Sequence, residues 1–353
     1  MIRTLFSLLL AIALTGCTSK QSSSVKTLRI NQKREIIDLA RVADTVFYIF
    51  PNHEVPLISN INKLLFAEQC MVIKDQSFIN NRPIFSINYN GEFEKQYGDI
   101  GRGPQEYLSA FDIALHNSKK ALYIYDRDRQ TLLTFDLVKG DLTEKSPLPF
   151  YRLQLIAWKP NMIASLNDEE GGPELSIRDL QKNKNLLERY THNEITDIEI
   201  PKVFARQHDT LLFLRPASDT LQIVEENQVK PYLHVDFGKY AIDQTFKQLE
   251  GDALKRQYMN NNRLCLLTEV FADNNILLFN YLQQNKTHHL LIENNNVKLH
   301  AEKFQYEGED LPKPIGLWKN HLVFCLFPEM HPNKISPTHK NFYLAFFKIN
   351  TNP

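Results

Sequence analysis

The chain predicts an all-β fold, a six-bladed β-propeller with a short helical insertion between blades four and five. Three observations lead there. Runs rich in Val, Ile, Leu, Phe and Tyr recur about every eight to twelve residues, divided by clusters of Asn, Asp, Gly and Lys. Within the runs the residues alternate, or are apolar throughout, as strands do with one or both faces buried. The most apolar run of each unit returns at intervals of roughly 40 to 50 residues, the size of a four-stranded blade.

The units can be followed in order. "LLFAEQCMVIKD" and "PIFSINYNGEF" read as strands, with Asn90-Gly91 supplying a tight turn. In "FDIALHNSKKALYIYDRDRQTLLTFDLVKGDL", Ala121 to Tyr125 and Thr131 to Leu137 alternate around "DRDRQ", and Lys139-Gly140-Asp141 makes the next turn. The second strand of a blade is buried on both faces and should be its most apolar. Those markers are Cys70 to Ile73, Ala121 to Tyr125, Met162 to Leu166, Leu211 to Arg215, Ile276 to Asn280 and Leu322 to Leu326. Six markers imply six blades. The wide interval before the fifth holds Ala241 to Asn262, where Ile242, Phe246, Leu249 and Leu254 have helical spacing. Near the front, "TVFYIF", Thr45 to Phe50, has no partner close in sequence. It is expected to close the ring against the C-terminal "NFYLAFFKI", which would remove exposed sheet edges.

The first residues, "MIRTLFSLLLAIALTGCTSK", carry one cation, an apolar run from Leu5 to Leu14, then small residues and a cysteine. That is a secretory signal, short for a membrane span. Leu14-Thr15-Gly16-Cys17 resembles the bacterial lipobox, which implies cleavage before Cys17 and lipidation of that cysteine; the alternative is an ordinary signal peptide that contains a cysteine. The expected organisation is a signal peptide over 1–16, a lipidated Cys17 and flexible tether over 17–27, and a single propeller domain over 28–353. Lipidation implies a membrane partner through the lipid anchor. The spacer "TSKQSSSVK" lacks carboxylates. In lipoproteins of this kind an acidic run there favours surface export, so the resemblance implies an outer-membrane protein facing the periplasm.

Cleavage removes Arg3 and no acid, so the 41 basic residues become 40 against 41 acidic ones. This balance excludes the basic footprint of a nucleic-acid binder. Cys70, Cys265 and Cys325 each sit in or beside an apolar run. They read as buried strand thiols, the alternative being one disulfide plus a free thiol.

"YGDIGRGPQEY", Tyr97 to Tyr107, places Gly98, Gly101 and Gly103 ahead of Pro104. A Walker loop would end in Gly-Lys-Ser/Thr, and a dinucleotide fingerprint would run Gly-x-Gly-x-x-Gly into a helix. Neither order is present. The glycines and proline instead fit a tight connector, where positive φ and close backbone approach are needed.

With its surroundings, Asn88 to Leu137, this segment resembles the inter-blade region of Bacteroidetes-type six-bladed β-propeller lipoproteins, a family distantly similar to NHL-repeat propellers. The resemblance rests on Tyr89-Asn90-Gly91, Gly98, Gly101-Arg102-Gly103-Pro104, Glu106-Tyr107 and Leu122-Tyr123-Ile124-Tyr125-Asp126. A second likeness is Ser218 to Ile242, similar to a fourth-blade strand ending in Asp-Phe-Gly. The family implies a fold and a compartment but no activity.

Propellers bind ligands where the central channel opens, beside the loops leading into the innermost strands. That geometry makes Arg102, Glu106 and Asp112 the ligand-binding candidates; bracing of the turn is the structural alternative for Arg102 and Glu106. Asp126 and Asp128 stand two apart in "YDRDRQ", but a calcium loop would continue to a third oxygen ligand and a glycine. A solvated hairpin is expected there, with no cofactor and no metal; calcium is the lesser alternative. His288 and His289 are adjacent in a strand and point to opposite faces, so they cannot share a metal. No nucleophile elbow is present, and no catalytic residue is assigned. The leading functional expectation is a non-catalytic binding or scaffold module, monomeric, for a protein, peptide or glycan. The alternative is a propeller-type hydrolase or lyase acting on a glycan or similar substrate at the channel mouth.

Overall fold

The structure is a computed structural model that describes residues 25–31, 33–75, 84–116, 118, 120–149, 152–167, 172–190, 202–215, 218–241, 264–328 and 341–350. Six antiparallel sheets form the blades of a propeller. Blade one comprises Ile61–Phe66, Cys70–Asp75, Ile84–Asn88 and Phe93–Tyr97. Blade two comprises Ala110–His116, Ala121–Asp126, Thr131–Asp136 and Leu142–Pro147. Blade three follows with Arg152–Ala157, Met162–Asn167, Leu175–Asp179 and Lys184–Arg189. Blade four has Phe204–Gln207, Thr210–Leu214, Thr220–Val224 and Val229–Asp236. Blade five has Leu266–Asp273, Ile276–Gln283, Lys286–Glu293 and Asn296–Tyr306. Blade six has Gly316–Trp318, His321–Leu326 and Tyr343–Ile349, and takes its fourth strand, Ala43–Ile49, from near the N-terminus.

The six apolar markers are the second strands of the six blades. Their physical cause is visible in blade two. Leu122 and Ile124 pack toward blade one, while Tyr123 and Tyr125 pack toward blade three. A period of two with both faces buried turns alternation into a continuous apolar run. The same division is repeated around the ring, giving six apolar cores, one at each blade interface. Leu122 and Ile124 are fully buried, and each such side chain contributes about 1.5–3 kcal/mol by leaving water.

Ring closure is as expected: Ala43–Ile49 pairs antiparallel with Tyr343–Ile349, with Phe346 opposite Phe47. Those two rings stack at 4.5 Å. Two further strands were not foreseen. Lys26–Arg29 adds in parallel to the outer strand of blade four, and Glu35–Asp38 to that of blade five. The first begins two residues inside the segment read as tether. Both cover outer sheet edges that would otherwise offer unpaired backbone groups.

The helical insertion expected over Ala241 to Asn262 lies, beyond Ala241, outside the described residues, as do the signal peptide and Cys17. A 3-10 turn, Gly238–Tyr240, stands at its approach. Cys70, Cys265 and Cys325 are free and buried, so no disulfide joins them. Burial pushes each thiol up to about 12.

Candidate functional site

The first strands of the blades lie side by side around the channel, and all leave the same face of the ring. In blades one, two, three and five the pairing between first and second strand breaks register at a corresponding point, between Ile61 and Lys63, Ala110 and Asp112, Arg152 and Gln154, and Leu267 and Glu269. A bulge bends the strand and re-aims the side chain that follows. Here that side chain is Lys63, Asp112, Gln154 or Glu269, a polar group in the first half of each strand.

These groups link the blades to one another. Lys63 Nζ of blade one donates to Asp112 Oδ2 of blade two at 2.7 Å and to the Leu155 carbonyl of blade three at 2.9 Å. Asp112 Oδ2 also accepts from the Leu155 amide at 2.6 Å. Gln154 Oε1 accepts from the Val203 amide at 2.9 Å, at the approach to blade four. The Val270 amide of blade five donates to the Lys202 carbonyl at 2.9 Å. Glu269 accepts from Lys313 Nζ, just ahead of blade six, at 3.2 Å, and from Asn280 Nδ2 at 2.5 Å. Contacts across several first strands require side chains that face the channel. All lie in its half nearer the face from which those strands start.

The electrostatics follow from that crowding. Burial raises the carboxyl of Glu269, but Lys202, Lys313 and the Asn280 hydrogen bond outweigh it and hold the group below the usual carboxylate range. Burial lowers Lys202, with Lys313 and Lys63 adding to the effect and Glu269 and Asp112 opposing it. Lys74, which donates to Asn62 Oδ1 at 3.2 Å, is lowered too, again by burial first. Behind Glu269 a buried relay continues, because Asn280 Oδ1 meets His289 Nδ1 at 2.8 Å. Burial and the neighbouring His288 push His289 down to about 3, so its ring is neutral at ordinary pH.

The three candidates from sequence separate. Asp112 belongs to the channel network. Glu106 does not: its carboxylate lies against Gly101 and Gly103 and accepts the Gly103 amide. A Cβ on Gly103 would lie 2.8 Å from the Glu106 carboxyl carbon, so the Glu106 side chain would have to shift to admit one. Gly98, at φ +68°, makes the turn out of blade one, in the left-handed region. Arg102 is exposed and does not pair with Glu106. The cation that ties the turn is Arg129, which donates to the carbonyls of Glu106 at 2.7 Å and Gly101 at 2.9 Å. Arg129 is held in turn by Asp126 at 3.6 Å.

Asp126 corrects the expectation of a solvated hairpin. It is fully buried and accepts the amides of Leu108 and Ser109 at 3.0 and 3.1 Å. Asp75, at the same place in blade one, accepts the amides of Ser59 and Asn60. The aspartate ending a second strand therefore caps the loop that feeds its own blade. Only Asp128 of the pair is exposed. Among the described residues no group of three or more His, Cys, Asp or Glu is arranged to hold a metal. His288 and His289 diverge as expected, His288 toward Arg34 at 2.8 Å and His289 toward Asn280.

Lys63, Lys202, Glu269 and Lys313 escaped the reading of the sequence. A signal existed for Lys63 and Glu269, each a lone charge near the start of an apolar first strand. None existed for Lys202 and Lys313, which precede their strands.

On the opposite face, a groove of about 230 Å³ is lined by Gln207, His208, Tyr232 and hairpin asparagines. His208, Asn274, Asn294 and Asn295 all have positive φ, so turn geometry accounts for them.

Comparison with solved structures agrees with the fold. A Bacteroides fragilis protein described as exported superposes with a TM-score of 0.73 at 14% identity, over 93% of this chain and 100% of that one. A DUF4221-family protein from Bacteroides vulgatus gives 0.57 at 9% identity, over 88% and 97%. No curated protein matches. The family profile described as a domain of unknown function, DUF4934, matches residues 25–334, and the chain belongs to that family.

Proposed function

We propose that the protein is an envelope-anchored propeller whose channel mouth recognises a protein, peptide or glycan without converting it. The observation that carries this reading is the occupancy of the carboxylates there. Asp112 is engaged by Lys63 and the Leu155 amide, and Glu269 by Lys313 and Asn280. Acid–base or nucleophilic chemistry needs a carboxyl group raised toward neutrality or free to attack, whereas Glu269 is held low. Matched charges of this kind brace a surface instead.

The anchor is a lipid on Cys17, with the domain facing the periplasm from the outer membrane. It is supported by the Leu14-Thr15-Gly16-Cys17 sequence and by the exported Bacteroides neighbour. No helix among the described residues is long and apolar enough to cross a membrane.

The test is a screen of the full-length chain in detergent against glycan and peptide arrays, with analysis of the bound material for products. Retention of an unaltered ligand, lost on changing channel-mouth residues, supports the reading. Conversion to product that Asp112→Asn or Glu269→Gln abolishes would overturn it in favour of the hydrolase or lyase. For the anchor, Cys17→Ser should abolish palmitate labelling and release the protein from membranes; unchanged membrane retention refutes it.

A further inference from the structure

Among the described residues, Lys63 and Lys313 at the channel mouth have carboxylates, Lys74 behind Lys63 gives its ammonium to Asn62 Oδ1, and Lys202 has no carboxylate within ion-pair distance. Lys63 and Asp112 form one ion pair at 2.7 Å, and Lys313 and Glu269 another at 3.2 Å. Lys202 stands between them. Its carbonyl accepts from Val270, next to Glu269, and the amide of its neighbour Val203 donates to Gln154, next to Leu155, whose backbone meets both members of the other pair. The chain at Lys202 is therefore fixed on both sides. Among the described residues no carboxylate comes within ion-pair distance of its ammonium. The ammonium stands over the ring of Phe271, 5.1 Å from Nζ to the ring centre.

Such a group is costly in the free protein. Burial removes part of its hydration, and the flanking ammonium groups repel it. Asp112 and Glu269 attract it but are already committed to other donors. An anion in the mouth would give the Lys202 ammonium the counter-charge it lacks, and charge-assisted hydrogen bonds are strong where water is partly excluded.

We propose that the channel mouth is an oxyanion site, in which the ammonium of Lys202, flanked by Lys63 and Lys313, takes the carboxylate or phosphate group of the ligand. The inference rests on the binding reading above and names the feature that face recognises. The Lys202 ammonium supplies a point charge without the planar fork of a guanidinium, so both shapes of oxyanion are accommodated.

The test follows thermal unfolding of the full-length chain in detergent with inorganic phosphate, acetate or chloride at matched ionic strength. Phosphate or acetate should raise Tm saturably, as a ligand specific to the native state does, and chloride should not. Lys202→Met should weaken the response about ten- to a hundredfold, the range for a lost charged hydrogen bond. Lys202→Gln provides a second reading if the methionine variant fails to fold. Lys159→Met, at a surface pair with Glu226, should change nothing. A stronger response to phosphate assigns a phosphate-bearing ligand, and a stronger response to acetate a carboxylate-bearing one. An equal response in wild type and both Lys202 variants, or no saturable response to either oxyanion, overturns the proposal. If array ligands are still retained in that case, the binding reading survives without it. Saturable oxyanion binding together with turnover on the arrays would overturn the binding reading and leave the site.

Discussion

Two charged regions sit at the starts of first strands, and they differ in what is left over. In the Gly-Pro connector between blades one and two, the described charges that reach the turn are consumed by the backbone: Asp126 by the Leu108 and Ser109 amides, Arg129 by the Gly101 and Glu106 carbonyls, Glu106 by the Gly103 amide. At the channel mouth the pairs Lys63–Asp112 and Lys313–Glu269 are likewise closed, but Lys202 between them has no carboxylate within ion-pair distance among the described residues. A region whose polar atoms answer one another holds the fold. A region with one charge unanswered can bind something.

The largest expected effect lies in the connector. Asp126→Ala leaves Arg129 without its acid and two loop amides uncapped, and should cost about 3–5 kcal/mol in a denaturant titration, as breaking a buried pair does. A loss under 1 kcal/mol would mean the connector is not braced as described. Gly98→Ala forces a Cβ to 2.9 Å from the Gln105 carbonyl oxygen at φ +68° and should cost about 1–3 kcal/mol.

The channel should respond with the opposite sign. Lys202 has a folded-state pKa below the ordinary 10.5, so between those two values the unfolded chain binds more protons and stability rises with pH. Lys202→Met should remove that part of the slope and raise stability near neutrality. Comparison with wild type isolates the term from the buried tyrosines and cysteines, which act in the alkaline range with the other sign. The smallest effect is expected for Arg102→Ala, within about 0.5 kcal/mol because the side chain is exposed. A large loss there would return Arg102 to the bracing role that Arg129 now holds.

The same contrast explains what the sequence could convey. The six second strands were legible because burial on both faces is written locally, residue by residue, as in Leu122 to Tyr125. Closure by Thr45 to Phe50 was legible because an apolar strand without a neighbour must find one elsewhere. The connector is legible as a turn, through Gly98, Gly103 and Pro104, but the motif offers only Arg102, a ligand-binding candidate with bracing as its alternative, whereas Arg129 on the following hairpin supplies the cation. Asp112 was found from its place at the start of a first strand. Its partners Lys63 and Leu155 lie 49 and 43 positions away, and Lys202 meets the network only through ring closure and the bulges. Strand patterns record burial; they do not record which side chains a ring of blades brings together.

The most direct measurement is the titration of the Lys202 ammonium by NMR of the lysine-labelled full-length chain, assigned with Lys202→Met. The account predicts a midpoint below 10.5 that moves upward when inorganic phosphate or acetate is added. A midpoint at or above the ordinary lysine value, unmoved by either anion, would contradict it.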